Sequence, residues 1–131
     1  MSGGFIELRD GPAKARIALQ GAELTEWAVG ARQMLWSPDP RIWDRTSPLL
    51  FPVVGWCRDA QVRVAAQAFP MPVHGFAMHS KFELVQQSQT RVVLRLSEDG
   101  NTRAHYPFAF ELEAIYELDR RALSMALRVR N

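Results

Sequence analysis

The 131-residue chain contains a single cysteine, Cys57, and only two lysines, Lys14 and Lys81. One thiol cannot close an internal disulfide, which excludes a small secreted scaffold held by crosslinks. The other basic residues are arginines spread along the sequence, and the net charge is only +2. No basic cluster is interleaved with aromatics, so a nucleic-acid surface is not expected. No apolar run approaches the ~18 residues that would span a bilayer. The opening MSGGFIELRD has no basic stretch leading into an apolar one, so it does not read as a signal peptide. GxSxG, Walker and dinucleotide fingerprints are missing as well. These absences predict a cytoplasmic protein with no nucleic-acid partner, no membrane partner and no cofactor.

What remains is an ordinary globular composition, 47% hydrophobic and 23% charged. A chain of this length is one domain, residues 1–131, able to bury about 65–70% of its unfolded surface. Its dominant period is two. In AKARIALQ, Ala15, Ile17 and Leu19 share one face, with Lys14, Arg16 and Gln20 on the other. FIELR and ELTEWAV flank it as further strands, with DGPA and QGAE as turns. RVVLRLS alternates Val92, Leu94 and Leu96 against Val93, Arg95 and Ser97. FAFELEAIYELD and RALSMALRVRN repeat the pattern and meet at LDRR, a tight hairpin. A helix over 108–130 would space its apolar residues by three and four, not two. The class is therefore all-β, with antiparallel strands joined by short turns and no helix longer than a couple of turns.

Two longer loops interrupt the strands, at 37–60 and 98–107. The first carries Pro38, Pro40, Pro48 and Pro52, which block regular ladder bonding. Trp36 and Trp43 read as packing for that loop and Trp27 as core. Glu98 and Asp99 read as a solvated turn, and Glu111, Glu113 and Glu117 as the outer face of a strand. MPVHGFAMHS, residues 71–80, holds two of the three histidines. Composition leaves His74 two readings: a solvated turn residue, or an imidazole offering a donor and an acceptor to a ligand. In the second, Gly75 lets the backbone approach closely and Phe76 supplies an apolar wall. His79, five residues on, makes a poor metal site with His74 even if Cys57 joins them, so no metal is expected.

Five fragments in order carry more than any one alone: GAELTEW, LWSPDPRIWDRTSPLLFPVVG, MPVHGFA, YPFAFELEAIYEL and LRVRN. Together they resemble the aldose 1-epimerase family, in the group that includes hexose-phosphate epimerases and mutarotase-like proteins. The resemblance implies a large antiparallel β-sandwich that binds a hexose or hexose phosphate and opens its ring at the anomeric carbon. It implies that a carboxylate takes the C1 hydroxyl proton while a histidine protonates the ring oxygen. A further histidine, in the HGF segment, binds the sugar, and His74 matches it with Phe76 beside it.

Two positions depart from the family pattern. Trp56 stands where an arginine often follows the FP.VG stretch, with Arg58 two residues on as its candidate substitute. Met78 stands where HGFA is often followed by arginine. Phosphorylated sugars need cationic partners, so both changes bear on ligand preference. The family's acid histidine and catalytic glutamate lie beyond the segment that LRVRN resembles. The chain is therefore expected to be the N-terminal half of a mutarotase, incomplete at its C-terminus, with its enzymatic activity left open. Alternatives are a sugar-binding module without chemistry, or a half-fold acting through protein association. A half-sandwich is expected to expose a strand edge and some of Phe108, Phe110, Leu112, Tyr116, Leu123, Met125 and Leu127, and so to form a homo-oligomer.

Overall fold

The structure is a computed structural model that describes residues 4–131. Ten strands form two four-stranded antiparallel sheets and one hairpin. The first sheet has the order β1-β2-β3-β4: Phe5–Asp10, Ala13–Ala18, Leu24–Val29 and Arg32–Gln33. The second has the order β10-β9-β8-β7: Leu123–Arg130, Glu111–Leu118, Arg91–Ser97 and Glu83–Gln87. The hairpin β5–β6, Gln61–Val64 with Gln67–Pro70, stands apart from both.

The period-two residues build the core. β1 and β2 pack across β8 and β9, burying Leu8, Ala15 and Ile17 against Leu94, Leu112, Ala114 and Tyr116. Each large apolar side chain withdrawn from water contributes about 1.5–3 kcal/mol. Tyr116 also ties the layers together, donating its hydroxyl to the Ala22 carbonyl at 2.7 Å. Burial pushes its phenol well above the ordinary range. The LDRR turn closes with the Asp119 N–H on the Ala122 carbonyl at 2.9 Å.

Of the apolar residues among which some were expected to be bare, Phe108, Met125 and Leu127 are, joined by Val129, while Phe110, Leu112 and Tyr116 are buried. Glu113 keeps its place on the outer face, between Arg95 and Arg128, but is not solvated there. It is buried, accepting from Arg95 Nε at 3.1 Å and Nη2 at 2.7 Å, with Arg128 at 3.3 Å. SEDG stays largely exposed, as expected, and also opens a helix. Asp99 caps a short helix, α1 (Gly100–Arg103), accepting the Thr102 N–H at 2.8 Å, while the Thr102 hydroxyl meets the Asp99 N–H at 2.9 Å. Glu98 pairs with Arg103.

Candidate functional site

Long loops are held at one end of the sandwich by backbone acceptors. The central one is the Phe51 carbonyl, which takes the Phe76 N–H at 2.9 Å and the Ala77 N–H at 3.2 Å. Two chain segments, 51–55 and 72–77, therefore lie side by side. Their approach requires Gly75. Its φ is +77°, and a β-carbon there would lie 2.1 Å from the Phe51 oxygen. Phe51 in turn sits edge-on to Phe76 and Tyr106 and against Phe110, with ring centroids 6.2, 6.3 and 5.3 Å away. These aromatic pairs anchor the loop to the core.

His74 occupies the turn before Gly75 in a left-handed conformation, φ +64°, uncommon for a side-chain-bearing residue. Two bonds to Gly55 hold it there. Its N–H donates to the Gly55 carbonyl at 3.0 Å, and its Nδ1 accepts the Gly55 N–H at 2.8 Å. An imidazole nitrogen that accepts carries no proton, so the neutral ring bears its hydrogen on Nε2. The local fold thus fixes both ring orientation and tautomer, leaving Nε2–H as a donor. That arrangement suits a hydroxyl or ring oxygen of a ligand.

The other expected site residues lie close in the chain to this turn. Trp56 directly follows Gly55 and is 77% exposed. Cys57 is extended (φ −83°, ψ 151°) and packs partly against the core. Residues on either side of an extended residue leave the backbone on the same side, so Trp56 and Arg58 share the outward face. Arg58 opens a short 3-10 turn, Arg58–Ala60. Phe76 is buried rather than presented to solvent, so its wall is part of the core.

His79 is not paired with His74. It ends the 3-10 turn Ala77–His79, with its Nδ1 3.5 Å from Arg45 Nη2. Phe76 and His79 line a cleft of about 390 Å³ together with Lys81, Leu96, Asn101 and His105, and His74 is not among its lining residues. The His105 Nδ1 lies 2.6 Å from the Pro70 carbonyl. Among the described residues no three His, Cys, Asp or Glu side chains are grouped to hold a metal ion.

Glu23 is a residue the sequence reading passed over. Its buried carboxylate accepts the Thr46 and Ser47 N–H groups at 2.7 and 3.1 Å and faces Arg45 at 3.6 Å. Arg45 also reaches the Met78 carbonyl at 3.4 Å. This clamp fixes the proline-rich loop over β3 just before it reaches Phe51. Trp36 and Trp43, expected to pack that loop, are joined by a 3.1 Å bond from the Trp36 indole to the Trp43 carbonyl, although both rings remain partly exposed.

Comparison with known proteins gives this architecture a family. The family model for aldose 1-epimerase matches residues 4–131. The plasmid-borne protein LacX of Lactococcus lactis subsp. lactis is 25% identical over 132 residues, spanning 96% of this chain and 44% of LacX. A galactose mutarotase-like protein from Lactobacillus casei superposes with a TM-score of 0.93 at 32% identity, covering 98% of this chain and 44% of that one. A galactose mutarotase related enzyme from Lactobacillus acidophilus gives 0.92 at 26% identity, with 96% and 43% covered. The chain thus spans less than half the length of these relatives. It belongs to the aldose 1-epimerase family.

Proposed function

We propose that this chain is the hexose-binding half of a mutarotase-like protein of carbohydrate metabolism. Its ligand is a hexose or hexose phosphate, held at the His74 turn, and with a complementary half it interconverts the sugar's anomers. The observation that carries the reading is the Gly55–His74 pair, in which the Gly55 peptide holds both the His74 backbone and its Nδ1 and leaves the imidazole Nε2–H as a donor. Trp56 and Arg58 supply an aromatic face and a cation on the adjoining segment. The protein works in the cytoplasm; no helix of the described residues is long and apolar enough to cross a membrane.

Ring opening needs a base at the C1 hydroxyl and an acid at the ring oxygen, each contributing roughly 10²–10⁴-fold. The family resemblance puts those two groups outside the segment this chain matches. On this reading the His74 turn supplies binding, and the acid and base come from the complementary half. A second reading, a sugar-binding module without chemistry, draws support from Trp56 and Met78, which replace arginines the family often uses.

The test is titration of galactose, glucose and glucose 6-phosphate into the labelled protein, followed by NMR. The expected result is saturable shifts at Gly55, Trp56 and His74 that His74→Ala removes. Binding that ignores His74→Ala, or no binding at all, would sink the assignment. Polarimetry on fresh α-glucose or α-galactose separates the two readings. The 131-residue chain should not exceed buffer, and a chain complemented by a relative's second half should do so only under the mutarotase reading.

A further inference from the structure

The His74 turn is assembled from two segments, and their register decides whether the Gly55 N–H meets the imidazole. The Phe51 carbonyl, bonded to the Phe76 and Ala77 N–H groups, is the pivot between them. A pivot leaves rotation free, and a fixed point to one side of it removes that freedom. For both segments the fixed point is the turn at residues 20–23, between β2 and β3.

The backbone of that turn grips the segment that follows His74. The Gly21 N–H donates to the Ser80 carbonyl at 2.6 Å, and a β-carbon on Gly21 would lie 2.8 Å from the Met78 oxygen. The 3-10 turn Ala77–His79 carries this hold back to Phe76, whose carbonyl takes the His79 N–H at 3.0 Å and the Ser80 hydroxyl at 2.8 Å. The segment that leads to Gly55 is held by a side chain. Glu23 is 7% exposed, and its Oε2 accepts both the Thr46 N–H at 2.7 Å and the Ser47 N–H at 3.1 Å. Its other oxygen faces Arg45 at 3.6 Å. Hydrogen bonds to a carboxylate are strong ones, so the short contacts to backbone are the firmer arm of the clamp. The Ser47 hydroxyl adds a 2.7 Å bond to the Leu24 carbonyl. Pro48 follows directly, and its fixed φ leaves the chain little slack before Phe51.

We propose that Glu23 is a positioning residue for His74. By tying residues 46–47 to the turn that also holds residues 78–80, it sets the register in which the Gly55 N–H reaches Nδ1. The proposal rests on the reading of His74 as the donor to the sugar and deepens it. An Nδ1 released from Gly55 is free to carry the proton itself, which turns Nε2 from a donor into an acceptor. Glu23 acts through His74 and decides which ring nitrogen donates.

Nitrogen-15 NMR of the histidine rings reads this at a pH where the ring is neutral. It needs no sugar, so failure of positioning and failure of binding are separate results. In the unsubstituted chain, His74 Nδ1 should resonate as an unprotonated nitrogen and Nε2 as a protonated one. Glu23→Ala leaves the Thr46 and Ser47 N–H groups without their acceptor. It should draw the two resonances together and speed Gly55 amide exchange by about tenfold or more. Glu23→Gln keeps a carbonyl oxygen for both N–H groups and gives up only the attraction to Arg45. It should preserve the ring signals and keep Gly55 exchange within about threefold, and Arg45→Met should match it. Glu113→Gln, which breaks an ion pair in the other sheet, should move neither readout. A protonated Nδ1 in the unsubstituted chain, ring signals indifferent to Glu23→Ala, Glu23→Gln as damaging as Glu23→Ala, or an equal response to Glu113→Gln would each overturn the proposal. Amide exchange decides it even if Glu23→Ala fails to fold. In the unsubstituted chain Thr46, Ser47 and Gly55 should open together, with one urea dependence, and Gly55 opening alone would also overturn it.

Discussion

Replacing Gly75 with alanine should cost far more than any ordinary loop substitution. The new β-carbon would lie 2.1 Å from the Phe51 oxygen, 2.4 Å from its carbonyl carbon and 2.6 Å from the Pro52 nitrogen. All three are backbone atoms, so no side chain can rotate to make room. Segments 51–55 and 72–77 must part, which strips the Phe51 carbonyl of the Phe76 and Ala77 N–H groups. Two such hydrogen bonds are worth about 1 kcal/mol each, and holding alanine at positive φ adds about 1–2 kcal/mol. A loss of about 3–4 kcal/mol, at about 3–6 °C per kcal/mol for a chain of this size, lowers Tm by about 10–20 °C. Gly30→Ala is the control. Its φ of +59° imposes the same backbone strain, but nothing lies within 4 Å of the added carbon. That variant should lose only about 1–2 kcal/mol. Thermal unfolding of the pair by circular dichroism gives the answer. Equal shifts in Tm would refute the close approach of Gly75 to Phe51, and with it the backbone support for His74.

Tyr116→Phe should destabilise the chain by about 1–3 kcal/mol in urea unfolding, because it leaves the Ala22 carbonyl buried without its 2.7 Å donor. An unchanged midpoint would mean that the hydroxyl is not what joins the layers. Glu113 makes a prediction about acid. Its hydrogen bonds from Arg95 hold its carboxyl below the ordinary value of 4.5. A carboxyl depressed in the folded state stabilises it fully above that ordinary value, and the contribution is lost as pH falls through the folded one. Glu113→Gln should therefore be less stable near neutrality yet lose less on acidification below about pH 4.5, measured as urea midpoints against pH. Parallel curves for the two proteins would remove the ion pair from the account.

The parts of this fold legible in the sequence are those where burial alternates. β2, β8 and β9 each carry an apolar residue at every second position because one face meets the other sheet, and that pattern survives in the letters. β7 is exposed along its whole length, so it leaves no alternation to read. The β5–β6 hairpin turns at Ala65, with φ +54°, where glycine or asparagine would ordinarily advertise the turn. At the site, PVHGFA announces a turn, and the family resemblance picks out His74. The Gly55 bonds that set its tautomer join residues 19 positions apart and leave no local mark. Glu23 was unreadable for a related reason: its partners are backbone N–H groups 23 and 24 residues away, and any residue type supplies those. His105 and Lys81, separated in sequence, share a cleft only once α1 folds back beside Phe76.

The contacts that position His74 all come from within this chain: the Phe51 carbonyl, the Gly55 peptide and the aromatic cluster around Phe110. The core beneath them closes between β1–β2 and β8–β9 without further strands. The departures from the family pattern lie in side chains the scaffold does not use: Trp56 is almost free in solvent, and Met78 meets Arg45 through its carbonyl. Substitution at such positions leaves folding intact and changes what a ligand meets. Arg45, facing Glu23 at 3.6 Å, already has its charge balanced, whereas Arg58 lies on the outward face beside Trp56. Under the proposed function Arg58 is the cation offered to an anionic group on the sugar, and the expected result of the titration is a preference for glucose 6-phosphate over glucose that vanishes in Arg58→Ala. Equal affinity for the two sugars would assign Trp56 and Arg58 to a neutral hexose.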